Sequence, residues 1–284
     1  MRPPGFWDNP PEAPGLAARL LSPLGAMYAA ATARRVAQPG YRAAVPVICI
    51  CNLNAGGTGK TPTARALALR LVVAGADVHL VSRGYGGRLE GPVRVDPSRH
   101  SAGDVGDEPL LMSAFAPVWV AKDRAAGVQA AEAAGAKVIL LDDGFQNPAV
   151  RKDLALVVID GARGLGNGCV LPAGPLRAPL KPQIARTDAL VVVGDGHAAD
   201  DLAGEVAAKG AVVLRAALMP DAAAVAALRG KPLLAFAGIG DPQRFFNGLR
   251  EAGLNVAATR VFADHHAFTR GEIDRLIADA ARAF

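Results

Sequence analysis

Aromatic residues are scarce in this sequence: Phe, Trp and Tyr make up 5% of its 284 residues. Proteins that hold single-stranded nucleic acids stack the bases on aromatic side chains set among basic residues. No such stripe follows the basic N-terminal region, where residues 1–45 carry five arginines and two acidic residues. The sequence therefore predicts no nucleic-acid partner. The formal net charge of +5 has its excess near the N-terminus and favours an anionic membrane surface or an acidic substrate.

Cysteine is also rare, with Cys49, Cys51 and Cys169 as its three occurrences. Three cysteines do not make a disulfide scaffold, and their number predicts a reducing, cytoplasmic compartment. Cys49 and Cys51 point to the same face of one predicted strand. Because no second cluster of Cys or His completes a set of four ligands, we expect both to pack in the core rather than to bind a metal.

No apolar run in the N-terminal region is long enough to cross a membrane. Residues 20–33 carry no charge, but these 14 residues fall short of the roughly 20 that a spanning helix needs. Ser22 followed by Pro23 is typical of a helix start, so we expect two short helices to meet there. One helical face is apolar, and its residues are Leu16, Leu20, Leu24, Met27 and Ala31. Two interpretations stay open: this face packs on the protein's own core, or it lies in a membrane interface with flanking arginines near anionic head groups.

Short apolar runs alternate with helical patterns along the rest of the chain, which is typical of a parallel sheet covered by helices. The predicted strands of the first half are residues 47–53, 78–82, 118–121 and 138–141. Predicted helices lie between them at residues 61–74 and 123–134. A second series of predicted strands follows at residues 154–159, 189–193, 212–214, 233–237 and 256–261.

A glycine-rich loop follows the first predicted strand and leads directly into a helix, as a phosphate-binding loop requires. Its residues are Asn54, Ala55, Gly56, Gly57, Thr58, Gly59, Lys60 and Thr61. The glycines let successive backbone N–H groups point at phosphate oxygens, beside the positive end of the helix dipole. We expect Lys60 to reach the β and γ phosphates of ATP and the Thr61 hydroxyl to be a ligand of Mg²⁺. Asn54 stands where the general motif has its first glycine.

The strand at residues 138–141 is followed by two carboxylates, Asp142 and Asp143. Ligands of parallel sheets collect at the carboxyl ends of the strands, so Asp142 is expected beside the phosphate loop, where it completes the Mg²⁺ site. Asp143 is expected either to contact the ion through water or to orient a substrate. An ordinary strand end capped by acidic residues is the alternative interpretation.

These patterns predict an α/β fold: a P-loop NTPase-type parallel sheet domain, a second, smaller α/β domain and an N-terminal amphipathic helical segment. The predicted boundaries place the helical segment at residues 1–40, the P-loop core at 41–150 and the second domain at 151–284. The Gly- and Pro-rich residues 161–182 are expected to form an ordered loop.

Several classes of phosphoryl-transfer protein share such a loop. The chain has no Asn-Lys-x-Asp stretch for guanine, and Ala55 occupies the position of the lysine that partition ATPases carry before the paired glycines. A kinase, and an ATPase that acts as a switch or scaffold on a protein partner, both stay open. Arg83 and Arg177 either clamp phosphates through their forked guanidinium donors or are ordinary surface arginines.

Five further motifs help to distinguish a kinase from an ATPase switch or scaffold. In chain order they are Ser82-Arg83-Gly84-Tyr85-Gly86-Gly87, Gly106-Asp107-Glu108-Pro109, Asp142-Asp143-Gly144-Phe145-Gln146, Leu171-Pro172-Ala173-Gly174-Pro175-Leu176-Arg177 and Asp264-His265-His266. Together with the phosphate loop, they make nearly the whole chain resemble the tetraacyldisaccharide 4′-kinase family, the ATP-dependent lipid A 4′-kinases of Gram-negative bacteria. The resemblance implies transfer of the ATP γ-phosphate to the 4′-hydroxyl of a tetraacylated glucosamine disaccharide 1-phosphate. It also implies action at the cytoplasmic face of the inner membrane and two α/β domains with nucleotide between them.

The resemblance further implies which residues are catalytic. Asp107 matches the family's catalytic aspartate and would take the proton of the sugar hydroxyl, whereas its position at a helix start, taken alone, favours an N-cap. In the family interpretation His265 pairs with Asp107 from the second domain to orient and tune it. Two positions depart from the family pattern: Asn147 replaces a common His, and Ala178 replaces a Glu that would contact the nucleotide or metal.

Overall fold

The computed structural model of the chain describes residues 3–283, so residues 1 and 2 of the predicted N-terminal segment lie outside the described part. The described residues form two compact units, one of residues 4–217 and a smaller one that begins at residue 218. In this part of the chain, no helix is both long and apolar enough to cross a membrane.

The larger unit is built on an eight-stranded, mostly parallel sheet, as the sequence predicts. Its strands are β1 (Val47–Cys51), β2 (Val78–Ser82), β3 (Val93–Arg94), β4 (Val118–Val120), β5 (Val138–Asp142), β6 (Leu154–Asp160), β7 (Ala189–Val193) and β8 (Val212–Ala216). Their spatial order is β3-β4-β2-β5-β1-β6-β7-β8. Every neighbouring pair is parallel except β3 and β4, which are antiparallel. The two-residue β3 is the one strand of this sheet that the sequence pattern did not predict.

Helices cover both faces of this sheet because successive strand residues point to opposite sides. The helices of the larger unit are α1 (Leu16–Val36), α2 (Lys60–Val73), α3 (Ala102–Val105), α4 (Asp107–Met112), α5 (Arg124–Ala133), α6 (Leu180–Ala185) and α7 (Asp200–Ala208). Cys49 and Leu141 belong to one hydrophobic core, whereas their neighbours Ile50 and Leu140 belong to the other. The two free cysteines of β1 are fully buried, which agrees with the expected core packing.

The predicted domain boundary near residue 150 is wrong, because the larger unit continues to Ala217. Strand β6 pairs directly with β1, with Cys49 opposite Ala155, and β7 and β8 extend the same sheet. The Pro- and Asp-containing stretch at residues 148–153 resembles a linker in sequence. In the structure it belongs to the connection that carries the chain from β5 past β1 to β6.

The expectation of two short N-terminal helices is also wrong, because α1 is a single helix with Pro23 inside it. Proline removes one backbone donor from a helix and crowds the preceding turn. The carbonyl that loses its partner is that of Arg19, an exposed residue, so water can satisfy it.

The smaller unit is an α/β unit, as predicted, with a later start. It contains α8 (Ala222–Leu228), β9 (Pro232–Ala237), α9 (Pro242–Glu251), β10 (Asn255–Val261) and α10 (Arg270–Ala283). Strands β9 and β10 are parallel. The fully buried Phe246 of α9 packs against Ala235 and Ala237 of β9 and forms its small core.

Candidate active site

The phosphate loop connects β1 to α2 at the carboxyl edge of the larger sheet. Gly56 and Gly59 have positive φ angles of 121° and 89°, a region that only glycine enters without strain. Gly59 also needs its small size, since a Cβ there would lie 3.3 Å from a methyl carbon of Val193 in β7. The backbone N–H of Ala55 donates to the carbonyl of Pro175 at 2.7 Å. The loop is thus held against neighbouring segments before any nucleotide binds.

Two oxygens of this loop lie buried without a partner. The Oδ1 atom of Asn54 and the hydroxyl of Thr58 have no hydrogen-bond partner among residues 3–283. The amide nitrogen of Asn54 donates to the carbonyl of Gly164 at 2.8 Å. Asn54 therefore anchors the loop. Buried polar atoms without a protein partner are expected where a polar ligand or an ordered water binds.

Lys60 lies at the start of α2 and contacts two acceptors. Its Nζ atom is 3.2 Å from Oδ2 of Asp143 and donates to Oδ1 of Asn52 at 3.2 Å. Arg177 binds the same carboxylate through both oxygens, at 2.9 and 2.8 Å, and its Nε donates to the carbonyl of Asn54. The structure thus brings together Lys60, Asp143 and Arg177 from three distant parts of the sequence.

Asp142 and Asp143 differ sharply in electrostatic environment. Burial raises the pKa of Asp142 to about 6, although the charge of Lys60 opposes the shift. Burial also acts to raise the pKa of Asp143, but the charges of Lys60 and Arg177 outweigh it and the pKa is lowered. The ionised Asp142 carboxylate therefore opposes folding, and its contribution to stability falls as the pH rises from about 4 to about 6. A cation beside Asp142 would remove this cost.

A small cavity next to the loop contains the predicted metal ligands. Its polar lining consists of Thr61, Ser82, Glu108 and Asp142. The Thr61 hydroxyl donates to Oε1 of Glu108 at 2.6 Å, and the Ser82 hydroxyl donates to Asp142 at 3.3 Å. Oxygen atoms are the ligands that Mg²⁺ prefers, so the donor set fits this ion. Within the described residues, no group of three or more His, Cys, Asp and Glu side chains could hold a metal by itself. These side chains therefore suit a Mg²⁺ ion that is also bound by substrate phosphates and water.

Arg124 is a site residue that the sequence analysis missed. Its buried guanidinium donates at 3.1 Å to the carbonyls of both Asp142 and Asp143. Asp143 has a φ of 50°, an uncommon conformation for a residue with a side chain. Arg124 therefore helps to fix the turn that presents both carboxylates. Nothing in the local pattern of Asp123-Arg124 indicates this role, because its partners lie 18 and 19 residues away, at the end of β5 and in the turn that follows it.

The two predicted catalytic residues lie in different units. Asp107 is the exposed first residue of α4, and its Oδ1 atom accepts the N–H of Glu108 at 2.9 Å. The N-cap of this helix is Gly106, so Asp107 is not the capping residue. In the smaller unit, His265 is exposed, has a φ of 55°, and donates its backbone N–H to Gly238. Their pairing stays a prediction.

The remaining predicted positions have simple surroundings. Arg83 is exposed at the end of β2, where a phosphate contact stays a prediction. Ala178 is buried, and its carbonyl accepts from Gln183. Its methyl side chain cannot supply the acidic contact that the family pattern implies at this position. Asn147 caps its own turn by accepting the N–H of Ala149.

Helix α1 exposes its leucine face. Leu16, Leu20 and Met27 are 78%, 80% and 70% exposed, whereas the opposite face buries Ala18, Gly25 and Thr32. Gly25 is required because a Cβ there would lie 3.0 Å from the carbonyl oxygen of Val170. The small residues are thus the face that packs on the protein. The interpretation that the leucine face packs on the core is wrong.

Comparisons with known proteins agree with this geometry. A sequence model of the family Tetraacyldisaccharide-1-P 4′-kinase matches residues 17–283. The tetraacyldisaccharide 4′-kinase of Nitrobacter winogradskyi is 60% identical over 97% of this chain and 81% of that protein, and that of Rhodopseudomonas palustris strain BisB18 is 61% identical over 99% and 81%. A crystal structure of LpxK from Aquifex aeolicus in complex with ATP is 26% identical, with a TM-score of 0.69, and covers 90% of this chain and 87% of that one. The chain belongs to the tetraacyldisaccharide 4′-kinase family.

Proposed function

We propose that this protein is an ATP-dependent kinase that transfers the γ-phosphate to the 4′-hydroxyl of a tetraacyldisaccharide 1-phosphate in lipid A biosynthesis. The observation that carries the proposal is the convergence of Lys60, Thr61, Asp142 and Asp143 at one sheet edge in a chain of this family. A phosphate loop, two carboxylates and a bound cation are the parts that position and neutralise a triphosphate.

The nucleotide would lie in the loop of residues 54–61. Its phosphates would accept the backbone N–H groups of this loop and the ammonium group of Lys60, which exchanges Asp143 for phosphate oxygens. Asp143 keeps Arg177 as a partner, so the exchange leaves no buried charge unpaired. Thr61, Asp142 and the newly found Glu108 would hold Mg²⁺, which when bound supplies neutralisation of phosphate charge. Arg83 and Arg177 are the candidate contacts to phosphate groups.

In this proposal, Asp107 activates the acceptor, the 4′-hydroxyl of the sugar. A sugar hydroxyl is a weak nucleophile, and a carboxylate within hydrogen-bond distance takes its proton as the new P–O bond forms. Asp107 is exposed and next to Glu108, which lines the cavity, so its carboxylate is accessible to an incoming substrate. His265 is the second catalytic candidate.

The exposed leucine face of α1 would bind the membrane surface. Arg34 and Arg35 lie at the C-terminal end of this face, where they can meet anionic head groups while Leu16, Leu20 and Leu24 enter the hydrocarbon. An acylated acceptor resides in a membrane, so a peripheral helix brings enzyme and substrate together. We place the protein at the cytoplasmic face of the inner membrane, with the lipid disaccharide and that surface as its partners.

Changing the leucine face to glutamine should abolish membrane binding. Each buried leucine contributes about 1.5–3 kcal/mol, so the triple variant Leu16→Gln, Leu20→Gln, Leu24→Gln is expected to lower partitioning by about 10³-fold or more. The measurement is cosedimentation with vesicles of zwitterionic and anionic phospholipids. The matched control changes Leu69 and Val73, which are exposed apolar residues of α2, to glutamine and is expected to bind as the wild type does. Equal binding by the α1 variant would contradict the proposal.

The activity itself is tested with the full chain, ATP, Mg²⁺ and the disaccharide 1-phosphate in detergent. We expect a 4′-phosphorylated lipid in mass spectrometry, with ADP formation that requires the lipid. Release of phosphate at the same rate with and without lipid would instead support an ATPase switch that acts on a protein partner.

A further inference from the structure

We propose that Asn52 is a positioning residue that sets the shape of the phosphate loop and the location of the Lys60 ammonium group before ATP binds. The inference deepens the proposed function, since it rests on the loop of residues 54–61 as the ATP site. Asn52 lies outside the sequence motif of that loop and follows the last residue of β1. Its exposed fraction is 0%, so it touches no solvent in the described part of the chain.

Both ends of the Asn52 amide are used. Its Nδ2 atom donates to the carbonyl of Asn54 at 2.6 Å and to the carbonyl of Gly56 at 3.2 Å. Its Oδ1 atom accepts from the Nζ of Lys60 at 3.2 Å. The carbonyls require a donor and the ammonium group requires an acceptor, so the orientation of the amide is fixed by its partners. Among the ordinary side chains of this size, only asparagine offers a donor and an acceptor in this arrangement.

The two carbonyl contacts determine which way the loop presents its N–H groups. In a planar trans peptide, the carbonyl oxygen of one residue and the N–H of the next point in opposite directions. Because the carbonyl of Gly56 faces Asn52, the N–H of Gly57 points away from Asn52. The positive φ of Gly56 makes this turn possible. Asn52 thus preorganises the Gly57 N–H as a donor that a triphosphate would otherwise have to order on binding, whereas the Ala55 N–H is already bonded to the Pro175 carbonyl.

The contact with Lys60 adds a second effect. Asp143 attracts the same ammonium group with a full charge at 3.2 Å, whereas Asn52 is neutral. A neutral acceptor holds the lysine close to the loop without competing strongly with phosphate oxygens, because an ammonium group is attracted more strongly by a negative charge than by a neutral amide oxygen. The backbone carbonyl of Asn52 also accepts from the Gln146 amide at 3.5 Å, and the same amide donates to Gln183, so the backbone of Asn52 has a further contact outside the loop.

The test measures ATP binding by the full chain with isothermal titration calorimetry in the presence of Mg²⁺ and without lipid. We expect Asn52→Ala to weaken ATP binding about 10-fold to 100-fold, the range for hydrogen bonds that include a charged partner. Asn52→Asp is expected to bind more weakly still, because a carboxylate donates nothing to the two carbonyls and pairs with Lys60. In steady-state kinetics, the weaker binding should appear as an increase in KM for ATP, with the KM for the lipid unchanged.

A matched control separates positioning from general stability. Trp119→Phe removes a partly buried hydrogen bond to His79, and Trp119 lies in β4, three positions from β1 in the sheet order. This variant is expected to lower the thermal unfolding temperature and to bind ATP as the wild type does. Equal weakening by Trp119→Phe, or wild-type binding by a folded Asn52→Ala protein, would overturn the proposal.

A milder variant decides the matter if Asn52→Ala does not fold. Asn52→Ser keeps one donor, so we expect about threefold to tenfold weaker binding, and unchanged binding would overturn the inference. Since the calorimetric measurements need no acceptor, a failure to phosphorylate the lipid would count against the proposed function and would not change the conclusion about Asn52.

Discussion

Replacing Lys60 with methionine should lower kcat/KM for ATP by about 10³-fold or more, because each charge-assisted hydrogen bond to a phosphate contributes about 1.5–3 kcal/mol and the lysine can make two. Methionine retains most of the side-chain length and removes the charge. The measurements are initial rates of lipid phosphorylation at varied ATP and the dissociation constant of ATP. Arginine at this position is expected to rescue little, since its planar guanidinium cannot replace a compact ammonium group in a close-fitting loop.

The surroundings of Lys60 make this variant interpretable. Asp143 keeps its two bonds to Arg177 when the lysine is removed, so the buried carboxylate stays paired and the fold should survive. Lys209→Met serves as the control, because Lys209 also donates to two acceptors, the carbonyls of Ile184 and Ala185. Loss of that lysine should leave ATP kinetics unchanged. Wild-type kcat/KM in the Lys60→Met protein would refute the assignment of the loop as a triphosphate site.

The phosphate loop and the Asp142-Asp143 pair were predictable from sequence because each depends on local pattern. Glycines followed by Lys60 and Thr61 must lie between a strand and a helix, and an apolar run that ends in acids must end at the sheet edge. Parallel pairing then brings the two edges together, with Ile50 of β1 opposite Asp142. Their proximity follows from topology alone.

The supporting residues were not predictable in the same way. Asn52, Glu108 and Arg124 act through partners that the sequence does not place beside them: Glu108 meets Thr61 across 47 residues and Arg124 meets Asp142 across 18. Their side-chain types are common, and only the fold gives them their partners. For Glu108, the sequence offered one indication of a role in the site, its position next to Asp107 in the Gly106-Asp107-Glu108-Pro109 motif.

Helix α1 and the boundary of the larger unit show a second kind of limit. The pattern of α1 predicted an apolar face but could not decide which face packs on the protein. That choice depends on the close approach of Gly25 to the Val170 carbonyl, a contact between distant segments. Likewise, the chain passes from β5 to β6 without a helix, so a loop inside the sheet resembled a linker between domains.

Changing Asp107 to asparagine should lower kcat about 10²-fold to 10⁴-fold, the usual contribution of a general base, and leave the dissociation constant of ATP within about twofold of wild type. Asparagine can still accept the N–H of Glu108, so the start of α4 should keep its structure. A residue that only stabilises the helix would therefore tolerate this change. Asp104→Asn is the matched control, because Asp104 is a nearby acid that accepts from Ser101 and pairs with Arg88; it is expected to retain kcat.

The combination of Asp107 with His265 tests whether the two residues serve one step. If they act as a unit, the double variant Asp107→Asn, His265→Ala should be about as slow as the slower single variant, since residues that act together are strongly non-additive. Rate losses that multiply would show that His265 contributes independently, and a normal rate in Asp107→Asn would remove Asp107 from the mechanism. Single-turnover measurements at saturating ATP are needed, because slow product release would hide losses in the chemical step. Agreement between single-turnover and steady-state losses would assign the effect of Asp107 to phosphoryl transfer itself.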